Sequence, residues 1–107
     1  MGLDNSYEIY LPSNLEEIIR KNLPQELRKV FDRKIKYLSR NIFYPSLNTK
    51  KYSVGDKTLS RLGVDEIWEF YINRRDYRCI FYVIHETKKI IIADIGTHDQ
   101  LKRKYTS

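Results

Sequence analysis

The sequence predicts a small α+β domain, an antiparallel β-sheet with two N-terminal helices packed on one of its faces. Three observations predict it. Asp65 to Leu101 holds three apolar runs separated by short polar links, the pattern of consecutive antiparallel hairpins. Ahead of them, Leu27, Val30, Phe31, Ile35, Leu38 and Ile42 recur every three or four residues, one apolar stripe of an amphipathic helix. The chain is 107 residues long, enough for one domain spanning the whole sequence and one modest core.

In chain order, Tyr7 to Leu11 predicts a short strand that Pro12 stops. Ser13 stands three residues before Glu16, a capping box that starts a helix at about Asn14 and carries it to about Asn22. Pro24 suits the first turn of a second helix, which takes up the apolar stripe and ends before Pro45. Arg28, Lys29, Arg33, Lys36 and Arg40 lie off that stripe as a solvated face. Asn48 to Val54 predicts a weak edge strand, and Gly55-Asp56-Lys57 a turn. The three better strands run from about Glu66 to Asn73, Tyr77 to His85 and Lys89 to Ile95. Their links are Asn73-Arg74-Arg75-Asp76 and His85-Glu86-Thr87-Lys88. On the first of them Trp68, Phe70 and Ile72 share a face, with Glu69 and Tyr71 opposite. The tail from Gln100 is expected as a basic helical turn or a frayed end. The helices leave the opposite sheet face and the strand ends open to a ligand.

Composition narrows the function. No stretch of about 18 apolar residues is present, so no membrane span is expected, and Met1 to Tyr10 lacks the pattern of a secretory leader. The single cysteine, Cys79, is expected as a buried apolar residue in a reducing, cytoplasmic setting. No cysteine and histidine spacing suits a metal, no phosphate loop or nucleophile elbow is present, and no cofactor is expected. The net charge is +6 and the pI about 9.4. Most of the excess lies from Asn48 onward, where 12 basic residues face 8 acidic ones. Such a charge suits nucleic acid or an acidic protein partner. Nine Tyr and four Phe add stacking surface suited to single-stranded RNA.

The remaining candidates form a cationic set: Lys50, Lys51, Arg61, Arg74, Arg75, Arg78, His98 and a late Tyr105. RNA offers these groups a reaction. Its 2′-OH, once deprotonated, attacks the adjacent phosphorus. Arginine and lysine stabilise the charge gathered on the phosphate oxygens, and a histidine can protonate the leaving 5′-oxygen. Arg78 has a second reading, as an arginine paired with Glu69 or Asp94, and His98 one as a capping or exposed loop residue. His85, in a turn, is expected to be exposed and idle.

Several segments together resemble one family. Leu23-Pro-Gln-Glu-Leu27 opens the long helix and Tyr44-Pro-Ser-Leu-Asn-Thr-Lys-Lys51 follows it. Then come Trp68-Glu-Phe70, Asp76-Tyr-Arg-Cys-Ile-Phe-Tyr82 and Ile95-Gly-Thr-His-Asp-Gln-Leu101. Over nearly its whole length the chain resembles the RelE/ParE superfamily of toxins from type II toxin–antitoxin pairs. The resemblance implies a small antiparallel sheet with two helices against it. For RelE-like members it implies metal-independent cleavage of mRNA in the ribosomal A site through 2′-OH attack. Arg78 then falls on the arginine that binds the scissile phosphate. Lys50 and Lys51 fall on the family's lysines, and His98 on a position shared by arginine and histidine, as general acid. Tyr105 is the candidate for a C-terminal catalytic tyrosine, although its distance from Gly96 departs from the family's spacing. For the general base the options are Lys51 and Glu69. Lys50, Arg61, Arg74 and Arg75 would bind RNA. The implied partners are a cognate antitoxin, in a hetero-oligomer, and mRNA on the ribosome. The ParE branch, which inhibits DNA gyrase by binding, and an inactive relative that keeps only antitoxin binding are the alternatives.

Overall fold

A computed structural model of the chain describes residues 2–73 and 76–106. Its elements are β1 (Glu8–Tyr10), α1 (Leu15–Asn22), α2 (Arg28–Arg40), β2 (Lys50–Lys51), α3 (Asp56–Leu62), β3 (Glu66–Tyr71), β4 (Tyr77–Ile84), β5 (Lys89–Thr97) and α4 (His98–Thr106). Short 3-10 turns at Gln25–Leu27 and Pro45–Leu47 bracket α2. No helix among the described residues is long and apolar enough to cross a membrane.

One five-stranded sheet runs in the order β1-β5-β4-β3-β2. From β2 to β5 every neighbour is antiparallel, with Trp68 opposite Phe81 and Cys79 opposite Ile95. β1 departs from the expected pattern and joins β5 in parallel, Glu8 opposite Lys89, so the sheet is mixed. The long helical connection leaving β1 frees it from the reversal a tight turn imposes, and it closes the outer edge of β5.

Strand alternation divides the apolar residues between two cores. On one face Phe70, Ile72, Cys79, Phe81, Val83, Ile90, Ile92 and Ile95 pack with Phe31 and Leu38 of α2, and with Ile18 and Ile19 of α1. The two N-terminal helices thus share this face, as expected. The opposite face is not open. Ile67 and Ile80 are buried there with Leu101 and Tyr105 of α4, and Leu59 and Leu62 of α3 pack against them. This explains why β4 and β5 are apolar on both sides.

α3 stands where a turn and loop were expected. Gly55 is extended at its start, and Gly63, at φ 70°, closes it in the left-handed region that glycine occupies at little cost. The expected capping box at Ser13 and Glu16 is not formed. Asn14 precedes the first helical residue, without a side-chain cap. The reciprocal cap lies at the other end of the chain. Thr97 Oγ1 accepts from the Gln100 amide (3.2 Å), and Gln100 Oε1 accepts from the Thr97 amide (2.9 Å). That pairing starts α4, so the tail is a full helix rather than a frayed turn.

A slip in the β4–β5 ladder positions the site. Ile80 faces Asp94 while Phe81 faces Ile92, leaving Ala93 as the extra residue of a bulge. An unbroken register would set Asp94 opposite Cys79, in the first core. The bulge instead turns Asp94 and Gly96 toward α4.

Candidate nucleic-acid site

Four neighbouring strands bring one residue each to the same end of the sheet, on the α4 face. Lys50 comes from β2, Tyr71 from the end of β3 and Arg78 from the start of β4, and His98 follows β5 directly. The register sets Tyr71 opposite Arg78 and Arg78 opposite Gly96. The Arg78 guanidinium lies 4.4 Å from the centre of the Tyr71 ring, a cation–π contact. Lys50 Nζ donates to the Tyr71 hydroxyl (2.9 Å) and lies 5.1 Å from the same ring.

Arg78 also pairs with a carboxylate, Nη1 lying 3.2 Å from Glu69 Oε1, and the two side chains are only 16% and 5% exposed. Glu69 Oε1 receives no hydrogen bond, so charge more than directed geometry holds this pair. The reading of Arg78 as an arginine paired with a carboxylate thus describes the residue. It is tied to Glu69, and its side chain also lines a cleft of about 250 Å³ together with Asp76, Thr97, His98 and Asp99. An arginine has five N–H donors, so the ion pair leaves donors for an anion in that cleft.

His98 is the first residue of α4 and its amide donates to the Asp76 carbonyl (3.0 Å). Its side chain is 47% exposed, with Nδ1 3.3 Å from Asp99 Oδ1. Gly96 keeps α4 close: a Cβ there would lie 3.1 Å from Gln100 Oε1 and 3.4 Å from Leu101. The cleft thus joins one anchored cation, one accessible imidazole and two carboxylates at its rim.

The structure separates the other candidates from this cleft. Lys51 lies opposite Trp68 in register, on the far face of the sheet from Arg78, and its ammonium pairs with Glu66 at 3.3 Å. Tyr105 is buried in the second core, donating to Asp94 Oδ2 (3.1 Å) and meeting the Tyr82 hydroxyl at 2.9 Å. Burial first, then the Tyr82 hydrogen bond and the Asp94 charge, push this hydroxyl far above the usual phenol range. It stays protonated and acts as a fixed donor. Lys104 Nζ also donates to Asp94 (2.6 Å). Arg61 is exposed in the last turn of α3 and is not among the described residues lining the cleft. Arg74 and Arg75 lie outside the described residues.

His85 is not idle. Its Nδ1 lies 2.5 Å from the Tyr7 hydroxyl and its Nε2 3.3 Å from Glu66 Oε2. Trp68 Nε1 donates to the same carboxylate (2.8 Å). Burial pushes the Glu66 carboxyl up, but hydrogen bonds from Trp68, His85 and Lys51 outweigh it and hold the group below its ordinary value. This network knits β1 to β3 on the first-core side, away from the cleft. Cys79 is buried as expected.

Tyr71 is the contact residue that sequence reasoning misses. Its signal was its place opposite the apolar face of β3, which put it beside whatever basic residue the next strand presents.

No protein-family model and no curated protein matches the chain in sequence. In three dimensions it is similar to a chain in the crystal structure of the archaeal RelE–RelB complex from Pyrococcus horikoshii OT3. The TM-score is 0.59 at 17% identity, over 85% of this chain and 93% of that one. A likeness at that identity carries the architecture, and the chain has a RelE-like fold.

Proposed function

We propose that this chain is the toxin of a type II toxin–antitoxin pair, and that it cuts mRNA in the ribosomal A site through attack of a 2′-OH on the adjacent phosphorus. The observation that supports it most is the shared cleft of Arg78 and His98, where an anchored guanidinium and an accessible imidazole reach one small volume. In this reading Arg78 binds the scissile phosphate and stabilises the charge of the pentavalent transition state. Tyr71 and Glu69 hold the guanidinium in place beforehand, which lowers the reorganisation needed at the moment of reaction. His98 gives its proton to the leaving 5′-oxygen, and solvent water takes the proton that the attacking 2′-OH loses. Lys50, fixed on Tyr71, adds positive charge along the strand. Lys51 and Tyr105 serve the fold, one through Glu66 and the other through Asp94.

A ribosomal substrate puts the activity in the cytoplasm. The partner is an antitoxin with an acidic segment that covers the Arg78–His98 cleft. The Pyrococcus RelE chain, crystallised with RelB, is the precedent for such a pair, and the net charge of +6 favours association with an acidic chain. Brief expression in bacteria tests the function, with mRNA 5′ ends and DNA breaks mapped side by side. In-frame mRNA cuts are expected. Double-strand breaks with intact mRNA would overturn the reading in favour of a gyrase poison.

A further inference from the structure

Next to the cleft lies a larger groove of about 670 Å³, where α2, the turn at Pro45–Leu47 and the end of β3 meet. Arg33, Lys34, Tyr37, Asn48, Tyr71 and Asn73 line it. We propose that this groove is a second RNA subsite, which holds the single strand to one side of the bond that is cut. The proposal rests on the nuclease reading above for its orientation, with the cut made at the Arg78–His98 cleft.

Three observations carry it. The first is charge without a counter-charge. Among the described residues no carboxylate forms an ion pair with Arg33 or Lys34. The Lys34 ammonium is held instead by the Ser46 carbonyl at 2.7 Å. Burial, and then the charge of Arg33, lower its affinity for its proton, and a bound phosphate would relieve that strain.

The second is stacking surface. Tyr37 lies parallel to Tyr44, ring centres 4.4 Å apart and planes 10° apart, and Tyr44, next in sequence to the lining residue Pro45, is exposed. A base can extend this stack. Alternating cations and aromatic planes are how single strands are held without sequence readout. An acidic peptide would use the cations but has no need of the planes, so the groove favours RNA.

The third is continuity. Tyr71 links the two sites, since its ring carries Arg78 of the cleft and Lys50 and the residue is also among those lining the groove. A strand leaving the cleft over Tyr71 enters the groove without crossing an acidic surface residue of its lining. Arg33, read from sequence as part of a solvated face, forms with Lys34 one wall of this groove.

The test uses fluorescently labelled, fully 2′-O-methylated single-stranded RNA, which cannot be cut, in two lengths of about four and about ten nucleotides. Anisotropy is measured over a salt series for the full chain and for Arg33→Gln/Lys34→Gln. The single variant Arg33→Gln, at an exposed position, serves if the double variant does not fold. The parent should bind the longer strand more tightly. The double variant should lose that gain, and its log–log salt slope should flatten by about 1.4, two phosphate contacts at about 0.7 each. Retention of both the length gain and the slope would overturn the subsite, as would a parent with no length gain. Unchanged RNA binding with loss of poly-glutamate binding would make the groove a protein-docking surface and also overturn it. The probe is uncleavable, so the subsite and the nuclease reading can fail separately. A length gain lost in the variant, from a protein that leaves natural RNA intact, keeps the subsite and removes the nuclease.

Discussion

Arg78 has two anions to satisfy, Glu69 in the free protein and a phosphate in the proposed reaction. This makes Arg78→Ala a poor test of catalysis. It strands Glu69 at 5% exposure, and an uncompensated buried charge costs about 3–5 kcal/mol. Urea denaturation should show that loss, and Arg78→Met/Glu69→Leu should recover most of it while still failing to cut RNA. Arg78→Lys keeps the charge but not the planar fork. It should remain folded and lose about 10²–10³ in cleavage rate. A cleavage rate equal to the parent's in Arg78→Lys would remove the guanidinium from the mechanism. Arg78 is legible in the sequence because one arginine in an apolar strand stands out. Its partner is harder to read: Glu69 and Asp94 both lie on the face of Arg78, and Lys104 and Tyr105 of α4 take up Asp94 instead.

α4 shows what a bulge and a cap do together. The bulge aims Asp94 at the helix, Thr97 and Gln100 start it, and Lys104 and Tyr105 close on Asp94. His98 is carried on its first turn, so anything that loosens α4 moves His98. Asp94→Ala removes the acceptor of Lys104 and leaves the Tyr105 hydroxyl only Tyr82 as a partner; it should cost about 1–3 kcal/mol, with faster amide hydrogen exchange confined first to α4. Tyr105→Phe removes the hydrogen bonds to Asp94 and Tyr82, should cost about 1–3 kcal/mol, and should leave cleavage by the folded protein unchanged. A large loss of rate in a well-folded Tyr105→Phe would restore Tyr105 as a proton donor. The strands and α2 are legible because periodicities of two and of three to four residues run long enough to register. α3 and α4 are short and polar. Their signals were a glycine closing α3 and the Thr97–Gln100 pair, each easily outweighed by a competing pattern such as Ser13–Glu16.

Across the whole molecule the sheet separates two networks. The Arg78–His98 cleft and the Asp94 cluster share one face, and Tyr7, His85, Glu66 and Lys51 share the other. The second network should set the acid stability. Glu66 is held below its ordinary carboxyl value, so the folded state binds its proton less readily than the unfolded chain does. The stability this contributes is complete above the ordinary carboxylate range and is lost as pH falls through the lower, folded value. Glu66→Gln removes that dependence. Urea denaturation at neutral pH and near pH 4 should show a smaller acid loss in the variant than in the parent, and equal losses would contradict the assignment. The α+β class and the common face of α1 and α2 are legible from sequence. The parallel pairing of β1 and the covered second face are not, because both depend on contacts between residues far apart in the chain.

The proposed mechanism stands or falls on whether His98 moves a proton. The measurement is single-turnover mRNA cleavage on programmed ribosomes by the parent and by His98→Gln, with ribosome binding assayed in parallel. Glutamine keeps a hydrogen-bond donor but cannot act as an acid, and His98 is exposed enough that the fold should not notice. The account predicts unchanged binding and a rate lower by about 10²-fold or more. Equal cleavage by parent and variant would remove His98 from the mechanism, and no RNA product from either, with toxicity intact in both, would contradict the nuclease itself.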